Sequence, residues 1–148
     1  MLVSFAAKSN QLTPLTRVCA GDTGYRTVTA ADSEVDESSL PHCPAFAEIG
    51  HAFGPFDLAL LPIGCCTPRT FMSPIHCTPA DSIQIHKDIR SRRSIGMHYG
   101  TVRGGLSAYY EDVRDPPKWW KQASEREGLV WEKDVGVCAI GETVVMIE

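Results

Sequence analysis

The feature that most constrains the fold of this chain is the near-continuous apolar run FDLALLPIG, residues Phe56–Gly64. An antiparallel strand with one face in water alternates apolar and polar side chains, whereas a strand buried on both faces is apolar at almost every position. The run ends at a glycine, which is typical of a turn. The sequence therefore predicts a central strand that is covered on both faces.

Strand and helix patterns alternate on either side of this run. Two further strands are predicted in Thr16–Gly21 and Ser94–Gly100, and both end at a glycine. Three helices are predicted from periodicity and terminal residues: Cys43–Gly54 with Pro44 in its first turn, a helix with N-cap Thr78 and Pro79 at its first position, and a helix with N-cap Asp115 that stops at Gly128. This order of elements favours an α/β layer architecture.

Three regions depart from the alternating order. The end of the chain, residues 135–148, alternates around Gly141 and Glu142, which predicts a terminal β-hairpin. Residues 26–42 are polar, acidic and rich in serine, with no sustained apolar face, so they are predicted to be a loop or a disordered insert. Residues 1–15 are a poorly defined N-terminal segment, and the predicted domain is therefore 16–148.

Charge and hydropathy argue against two classes of protein. A formal net charge of −4 argues against a nucleic-acid-binding surface, which needs a clustered surplus of Lys and Arg. No apolar run approaches the roughly 18–20 residues of a membrane-spanning helix, and the opening residues lack the basic start of a signal peptide. The six cysteines contain no C-x-x-C pair, which predicts reduced, small apolar side chains in a cytoplasmic protein.

Candidate site residues follow the predicted strands. Ligands of parallel α/β sheets gather beyond the carboxyl ends of the strands, and this rule selects Asp22, Pro62–Gly64 and His98–Thr101. Asp22 lies between two glycines, where it is either a turn-forming acid or a metal ligand. His98 is either a hydrogen-bonded core histidine or a neutral imidazole ligand. Together the acid and the histidine would form half of a metal site.

Two further features lie near the ends of the second predicted helix. His76 precedes the N-cap Thr78 by two residues, and is either an ordinary loop histidine or a donor to an anionic substrate near the helix N-terminus. The basic run His86–Arg93 is either a solvated face that complements the helix dipole or a contact to anionic lipid headgroups. Peripheral membrane contact is therefore an open alternative.

Several stretches of the chain together resemble one family of enzymes. The motifs are AGDTGY, CPAFAEIGHAFGPFDLALLPIG, PR-TFM, HCTPADSIQIHKDI and SIGMHYGT. They resemble the metallo-β-lactamase superfamily and, more narrowly, its N-acylphosphatidylethanolamine-hydrolysing phospholipase D family, over about Arg17–Thr101. In that family GDTGY runs almost directly into CPAF, whereas residues 26–42 intervene here.

The resemblance implies a zinc hydrolase with an αββα sandwich, of which this chain resembles the C-terminal half. It implies that Asp22 bridges two Zn²⁺ ions, that His98 binds one of them and that His76 lies beside the substrate headgroup. Pro62 and Gly64 would line the same cleft. The implied reaction cleaves the phosphodiester of a phospholipid, N-acylphosphatidylethanolamine, to an N-acylethanolamine and phosphatidic acid, with a metal-bridging hydroxide as nucleophile.

One part of the family's pattern is missing from the chain. The family takes most of its zinc ligands from an H-x-H-x-D-H motif and a further histidine upstream of GDTGY, but here no histidine precedes Asp22 and no two histidines have H-x-H spacing. A two-zinc site needs more ligands than Asp22 and His98 supply, so the chain alone is expected to be an inactive fragment. Two alternatives stay open: another hydrolase of the superfamily, such as a lactonase, or a non-catalytic module that associates with a full-length homologue.

Overall fold

A computed structural model of the chain describes residues 2–5, 15–100 and 109–146, so the candidate Thr101 lies outside the described residues. The strands are β1 (Leu2–Phe5), β2 (Arg17–Cys19), β3 (Leu58–Pro62), β4 (Ser94–Met97), β5 (Val135–Val137) and β6 (Thr143–Met146). The α-helices are α1 (Ala45–Phe53), α2 (Arg69–Met72), α3 (Pro79–Asp88) and α4 (Asp115–Arg126).

The central sheet has the order β2-β3-β4-β5, and all of its strands are parallel. In its register Cys19 and Ile95 both lie beside Leu60. The carboxyl ends of β2, β3 and β4 therefore meet at one edge, as a parallel sheet requires. The prediction of an α/β architecture with a parallel sheet is confirmed.

The apolar run of β3 is buried on both faces, as its sequence predicts. On one face Ala59 and Leu61 pack with the helices in the main core, which also contains the fully buried Trp120 of α4. On the other face Leu58 packs with Ile95 in a second, smaller cluster. Each fully buried Leu or Ile side chain stabilises the fold by about 1.5–3 kcal/mol.

The start of α3 matches its predicted capping pattern. The Thr78 hydroxyl accepts a hydrogen bond from the Asp81 N–H at 3.0 Å, and the Asp81 carboxylate accepts one from the Thr78 N–H at 3.1 Å. This reciprocal pair is a capping box. The start of α4 differs by one residue, because Arg114 occupies the N-cap and the Asp115 carboxylate pairs with Lys118 at 2.8 Å instead.

The predicted terminal hairpin is wrong. A turn is present, since the Glu142 N–H donates to the Ala139 carbonyl at 3.0 Å. However, β5 pairs with β4 in the central sheet, whereas β6 pairs in parallel with β1 in a separate two-stranded sheet. Alternation of side chains predicts strands but does not select their partners. Between the two strands, the buried Cys138 packs with Leu58 and Ile95 of the central sheet.

The segment 26–42 forms a loop with two short 3-10 helices, Ala30–Asp32 and Glu37–Ser39. Its packing differs from the expectation of a disordered insert, because its side chains make buried contacts with the domain. The Arg26 Nε lies 2.9 Å from the Asp81 Oδ1, and both side chains are less than a tenth exposed. The polar composition of the segment reflects these ion pairs as well as contact with water.

The two ends of this loop lie side by side. The Cys43 N–H donates to the Tyr25 carbonyl at 2.8 Å, and the rings of Tyr25 and His42 stack with centroids 5.0 Å apart. The chain therefore leaves the domain after Tyr25 and returns to it at Cys43 almost at the same point.

Three other expectations can be compared with the structure. None of the six cysteines forms a disulfide, and Cys66, Cys77 and Cys138 are buried, whereas Cys19 is exposed. Within the part of the chain that is described, no helix combines the length and apolarity needed to cross a membrane. The strand β1 lies in the segment 1–15 and pairs with β6; the domain boundary at residue 16 stays a prediction.

Candidate metal site

Three side chains with metal-ligating atoms meet at the carboxyl edge of the central sheet. They are Asp22 after β2, His76 between α2 and α3, and His98 after β4, and their ligand atoms all lie within 4.8 Å of one another. Two histidines and a carboxylate are a donor set that zinc accepts. The structure therefore brings together the two residues predicted as metal ligands and the histidine predicted to face the substrate.

The histidine nitrogens in this cluster are incompletely bonded. The His98 Nε2 contacts the Asp22 Oδ1, and the rings of His76 and His98 lie with centroids 5.1 Å apart. The Nδ1 atoms of both histidines are buried and have no hydrogen-bond partner among the described residues. A buried polar atom without a partner is costly, so this arrangement fits a site that binds a cation.

Burial keeps His76 in the form that binds metals. The pKa of His76 is lowered first by its burial and next by the nearby His98, while Asp22 and Glu111 act in the opposite direction. The ring is therefore neutral at pH 7, and only a neutral imidazole has a lone pair for a metal.

The backbone at His98 is held in a conformation that few side chains adopt. Its φ is 59°, in the left-handed region, and Gly100 follows with φ 71°. A left-handed residue with a Cβ costs about 1–2 kcal/mol, and such residues cluster at functional sites. This conformation aims the His98 ring at Asp22.

The loop after β3 packs directly against His98. A Cβ added to Gly64 would lie 2.9 Å from the His98 carbonyl oxygen and 2.6 Å from the Tyr99 Cβ. Only a glycine allows the two backbones to come so close. Both Pro62 and Gly64 are buried here, so their contact with a substrate stays a prediction.

Sequence reasoning missed Glu111, which joins the loops of this site. Its side chain is buried, and its two carboxylate oxygens accept hydrogen bonds from the N–H groups of Cys65 at 2.6 Å and Cys66 at 2.8 Å. Cys65 has a left-handed φ of 62°. No motif marks this acid, because it lies in the stretch YYEDVRD, which reads as a solvated segment.

Sequence reasoning also missed the ion pairs that hold the His76 loop. The Arg69 guanidinium binds the Asp81 carboxylate and, at 2.9 Å, the Glu37 carboxylate, and it donates to the His76 carbonyl at 3.3 Å. Arg26 binds the other oxygen of Asp81. These four charged residues, Arg26, Glu37, Arg69 and Asp81, are called the ion-pair network below. The network fixes the segment between α2 and α3 that carries His76.

Comparison with known proteins agrees with this architecture. A family described as "Beta-lactamase superfamily domain" matches residues 19–99. The chain is 45% identical over 80 residues to the N-acyl-phosphatidylethanolamine-hydrolyzing phospholipase D 1 of Caenorhabditis elegans. These 80 residues are 54% of this chain and 22% of that protein. It is 39% identical over 57 residues to the mitochondrial N-acyl-phosphatidylethanolamine-hydrolyzing phospholipase D of Saccharomyces cerevisiae. These 57 residues are 38% of this chain and 12% of that protein.

An uncharacterized protein of Mycobacterium tuberculosis is also similar, with 39% identity over 62 residues, which are 40% of this chain and 16% of that protein. The matches thus span less than a quarter of the length of each of these three relatives. All three candidate donors lie in the range 19–99 that the family covers.

Proposed function

This chain belongs to the metallo-β-lactamase superfamily, and we propose that it supplies Asp22, His76 and His98 to the zinc site of a hydrolase that cleaves the phosphodiester of N-acylphosphatidylethanolamine. The observation that carries the proposal is the convergence of these three side chains, with two buried histidine nitrogens that lack partners among the described residues. The substrate is proposed from the names of two relatives that match the chain.

The donor set fits zinc in number and in kind. A catalytic zinc ion usually has three protein ligands, drawn from His, Cys and carboxylates, and keeps one position open. When bound, zinc supplies a water of lowered pKa and neutralises charge on phosphoryl oxygens. Asp22 brings the negative charge, and its side chain is 70% exposed, so the open side of the site faces solvent.

His76 has two roles that this geometry supports. As a third ligand it would complete the set with Asp22 and His98. As a neutral ring beside the bound ion it would donate a hydrogen bond to the phosphate of the substrate. The variant His76→Ala separates the two roles: loss of zinc affinity assigns His76 as a ligand, whereas unchanged zinc affinity with weaker binding of the phospholipid by the zinc-loaded chain assigns it to the substrate.

We also propose that these 148 residues alone do not turn over the phospholipid. The described residues contain one cluster of three donors, Asp22, His76 and His98, which would hold one zinc ion, whereas a site for two zinc ions would need more donors than this. A peripheral contact with the lipid surface belongs to the same proposal, since the substrate lies in a bilayer. The chain is therefore expected to bind zinc without hydrolysing the phospholipid.

The test is elemental analysis of the purified chain with matched variants. The wild-type chain is expected to retain about one zinc per chain after gel filtration. Asp22→Asn and His98→Ala should lose it, and His51→Ala, which removes an exposed histidine on α1, should keep it. Absence of zinc from the wild-type chain after incubation with the metal would contradict the site.

The same preparations are incubated with N-acylphosphatidylethanolamine in mixed micelles and with a soluble lactone, and the products are measured by mass spectrometry. Zinc without turnover of either compound is expected. Release of N-acylethanolamine by the chain would refute its proposed inactivity. Hydrolysis of the lactone but not of the phospholipid would show that the substrate is a lactone and not a phosphodiester.

A further inference from the structure

We propose that Glu111 is a positioning residue for the metal site: its buried carboxylate holds the turn after β3, residues 64–67, against the backbone of His98. The part that concerns metal affinity rests on the proposed function, whereas the part that concerns the turn does not. Glu111 does not belong to the three-donor cluster itself.

The first step is the contact between Glu111 and the turn. The carboxylate is 7% exposed and accepts the Cys65 and Cys66 N–H groups through separate oxygens, at 2.6 and 2.8 Å. Hydrogen bonds to an ionised acceptor are shorter and stronger than those between neutral groups. Next to this contact, the Thr67 hydroxyl donates to the Tyr110 carbonyl at 3.0 Å. The stretch around Glu111 thus holds three successive residues of the turn.

The second step is the strain that these bonds hold in place. Cys65 has a φ of 62°, which a residue with a Cβ adopts only when other contacts favour it. Its N–H is one of the two that Glu111 accepts. Among the described residues, the central sheet gives no such support to Cys65. The strand β3 ends at Pro62, and the Ile63 N–H that follows it donates to the Met97 carbonyl at 2.9 Å.

The third step joins the turn to the metal site. The Gly64 backbone approaches His98 and Tyr99 so closely that an added Cβ would lie less than 3.0 Å from both residues. His98 is also left-handed, with φ 59°. A shift of the turn would therefore remove the surface against which the strained His98 backbone is packed, and its ring would lose its fixed direction towards Asp22.

Glu111 thus acts through the Cys65–Cys66 backbone and not on the substrate. Residues that orient metal ligands without touching the metal typically change metal affinity about 10- to 100-fold when they are mutated. We expect a loss in this range for Glu111→Gln, which keeps the shape of the side chain but turns one accepting oxygen into a donor. Glu111→Asp, which keeps the charge but is one methylene shorter, should show a smaller loss.

Asp57 provides a matched control at the opposite edge of the sheet. Its carboxylate also accepts a backbone N–H that is distant in sequence, that of Thr16, at 2.8 Å, and it precedes β3 instead of following it. Asp57→Asn therefore removes a comparable clamp without touching the turn after β3. It should leave metal affinity unchanged.

The experiment is a titration of the full 148-residue chain with Co²⁺, followed through the visible absorption bands that report the geometry around the ion. Circular dichroism establishes first that each variant is folded. The expected result is weaker binding and altered band shape in Glu111→Gln, a smaller change in Glu111→Asp, and wild-type values in Asp57→Asn. Wild-type affinity and bands in folded Glu111→Gln, or an equal loss in Asp57→Asn, would overturn the inference.

A second measurement needs no metal. In NMR spectra of the metal-free chain, the Cys65 and Cys66 amides should exchange with solvent about tenfold or more faster in Glu111→Gln, and the His98 ring signals should shift; Asp57→Asn should show neither change. If the wild-type chain binds no Co²⁺, the proposed function fails and this measurement decides the inference alone. Unchanged amide exchange and unchanged His98 signals in Glu111→Gln would overturn it.

Discussion

Two groups of charged and polar side chains lie on neighbouring loops of this molecule, and they differ in how completely their atoms are paired. In the ion-pair network, the Asp81 carboxylate is bound by Arg26 and Arg69 and also caps α3. In the metal cluster, the buried Nδ1 atoms of His76 and His98 have no partner among the described residues.

The same difference extends to exposure. The Asp81 side chain is 4% exposed, whereas that of Asp22 is 70% exposed. A polar group that is fully paired and buried has nothing left to offer a ligand, while an unpaired group beside an exposed acid does. The buried ion pairs of this fold are therefore structural, and ligand binding is expected where polar atoms are incompletely paired.

The largest expected effect tests the structural half of this comparison. Asp81→Ala leaves the guanidinium groups of Arg26 and Arg69 without their shared carboxylate, and Arg26 is 8% exposed. Removal of one partner of a buried ion pair costs about 3–5 kcal/mol of unfolding free energy. Asp22→Ala, which removes an exposed acid, should cost less than about 1 kcal/mol without metal. Urea unfolding followed by circular dichroism measures both, and equal costs would refute the distinction.

The next effect tests the binding half. Zinc at about 100 times its dissociation constant should raise the unfolding free energy by about 2.7 kcal/mol, because it binds the folded chain. This gain should be absent in His98→Ala and Asp22→Asn and present in the control His51→Ala. Thermal unfolding with and without zinc, in a chelator-free buffer, gives the measurement. An increase in unfolding free energy on addition of zinc to His98→Ala would show that the metal binds at another site.

A smaller effect on stability is expected from the left-handed backbone of His98. Glycine adopts a φ of 59° without the strain that a Cβ brings. Metal-free His98→Gly should therefore be more stable than metal-free His98→Ala by about 1 kcal/mol, although neither binds zinc. Denaturant unfolding of the two variants side by side provides the difference. A less stable glycine variant would show that the chain relaxes out of the left-handed region when the ring is lost.

The last effect depends on pH and concerns a histidine that is paired. His86 is buried in α3, its Nδ1 lies 2.7 Å from the Ser94 hydroxyl, and burial lowers its pKa below 6.5. The unfolded chain therefore binds this proton more readily, so stability is complete above pH 6.5 and falls as the pH decreases towards the folded pKa, by at most about 1.4 kcal/mol per pH unit.

The variant His86→Gln isolates this contribution. Its unfolding free energy should depend less on pH than that of the wild-type chain below about pH 6.5, where the difference in bound protons arises. The measurement is a series of urea titrations across that interval. Identical pH dependence in the two proteins would mean that His86 is not the group whose burial matters.

The parallel sheet could be predicted from sequence because its signals are local. The apolar run of β3 indicates a strand that is covered on both faces, and the glycines after the strands indicate where the strands end. In a parallel sheet the carboxyl ends of neighbouring strands lie at the same edge. This rule predicts Asp22 and His98 as site residues from the sequence alone. His76 is a candidate from its position two residues before the N-cap Thr78, the family resemblance implies that it lies beside the substrate headgroup, and the structure brings it to the same point as Asp22 and His98.

The features that escaped prediction depend on partners that are distant in sequence. The strand pattern of β6 gives no information on its pairing with β1. Glu111 lies 46 residues from Cys65, and Arg26 lies 55 residues from Asp81. In a single sequence, an acid or an arginine in a polar stretch reads as a solvated side chain, because only the fold reveals that it is buried.

The adjacent ends of the loop 26–42 determine how this segment is attached to the domain. Because the Cys43 N–H donates to the Tyr25 carbonyl, the segment begins and ends at neighbouring points of the domain, so its length is not fixed by the distance between its ends. The segment contributes Arg26 and Glu37 to the ion-pair network, one charge of each sign, while Arg69 and Asp81 remain as a balanced pair. Loss of residues 26–42 would therefore remove one charge of each sign from the ion-pair network and leave the Arg69–Asp81 pair in place.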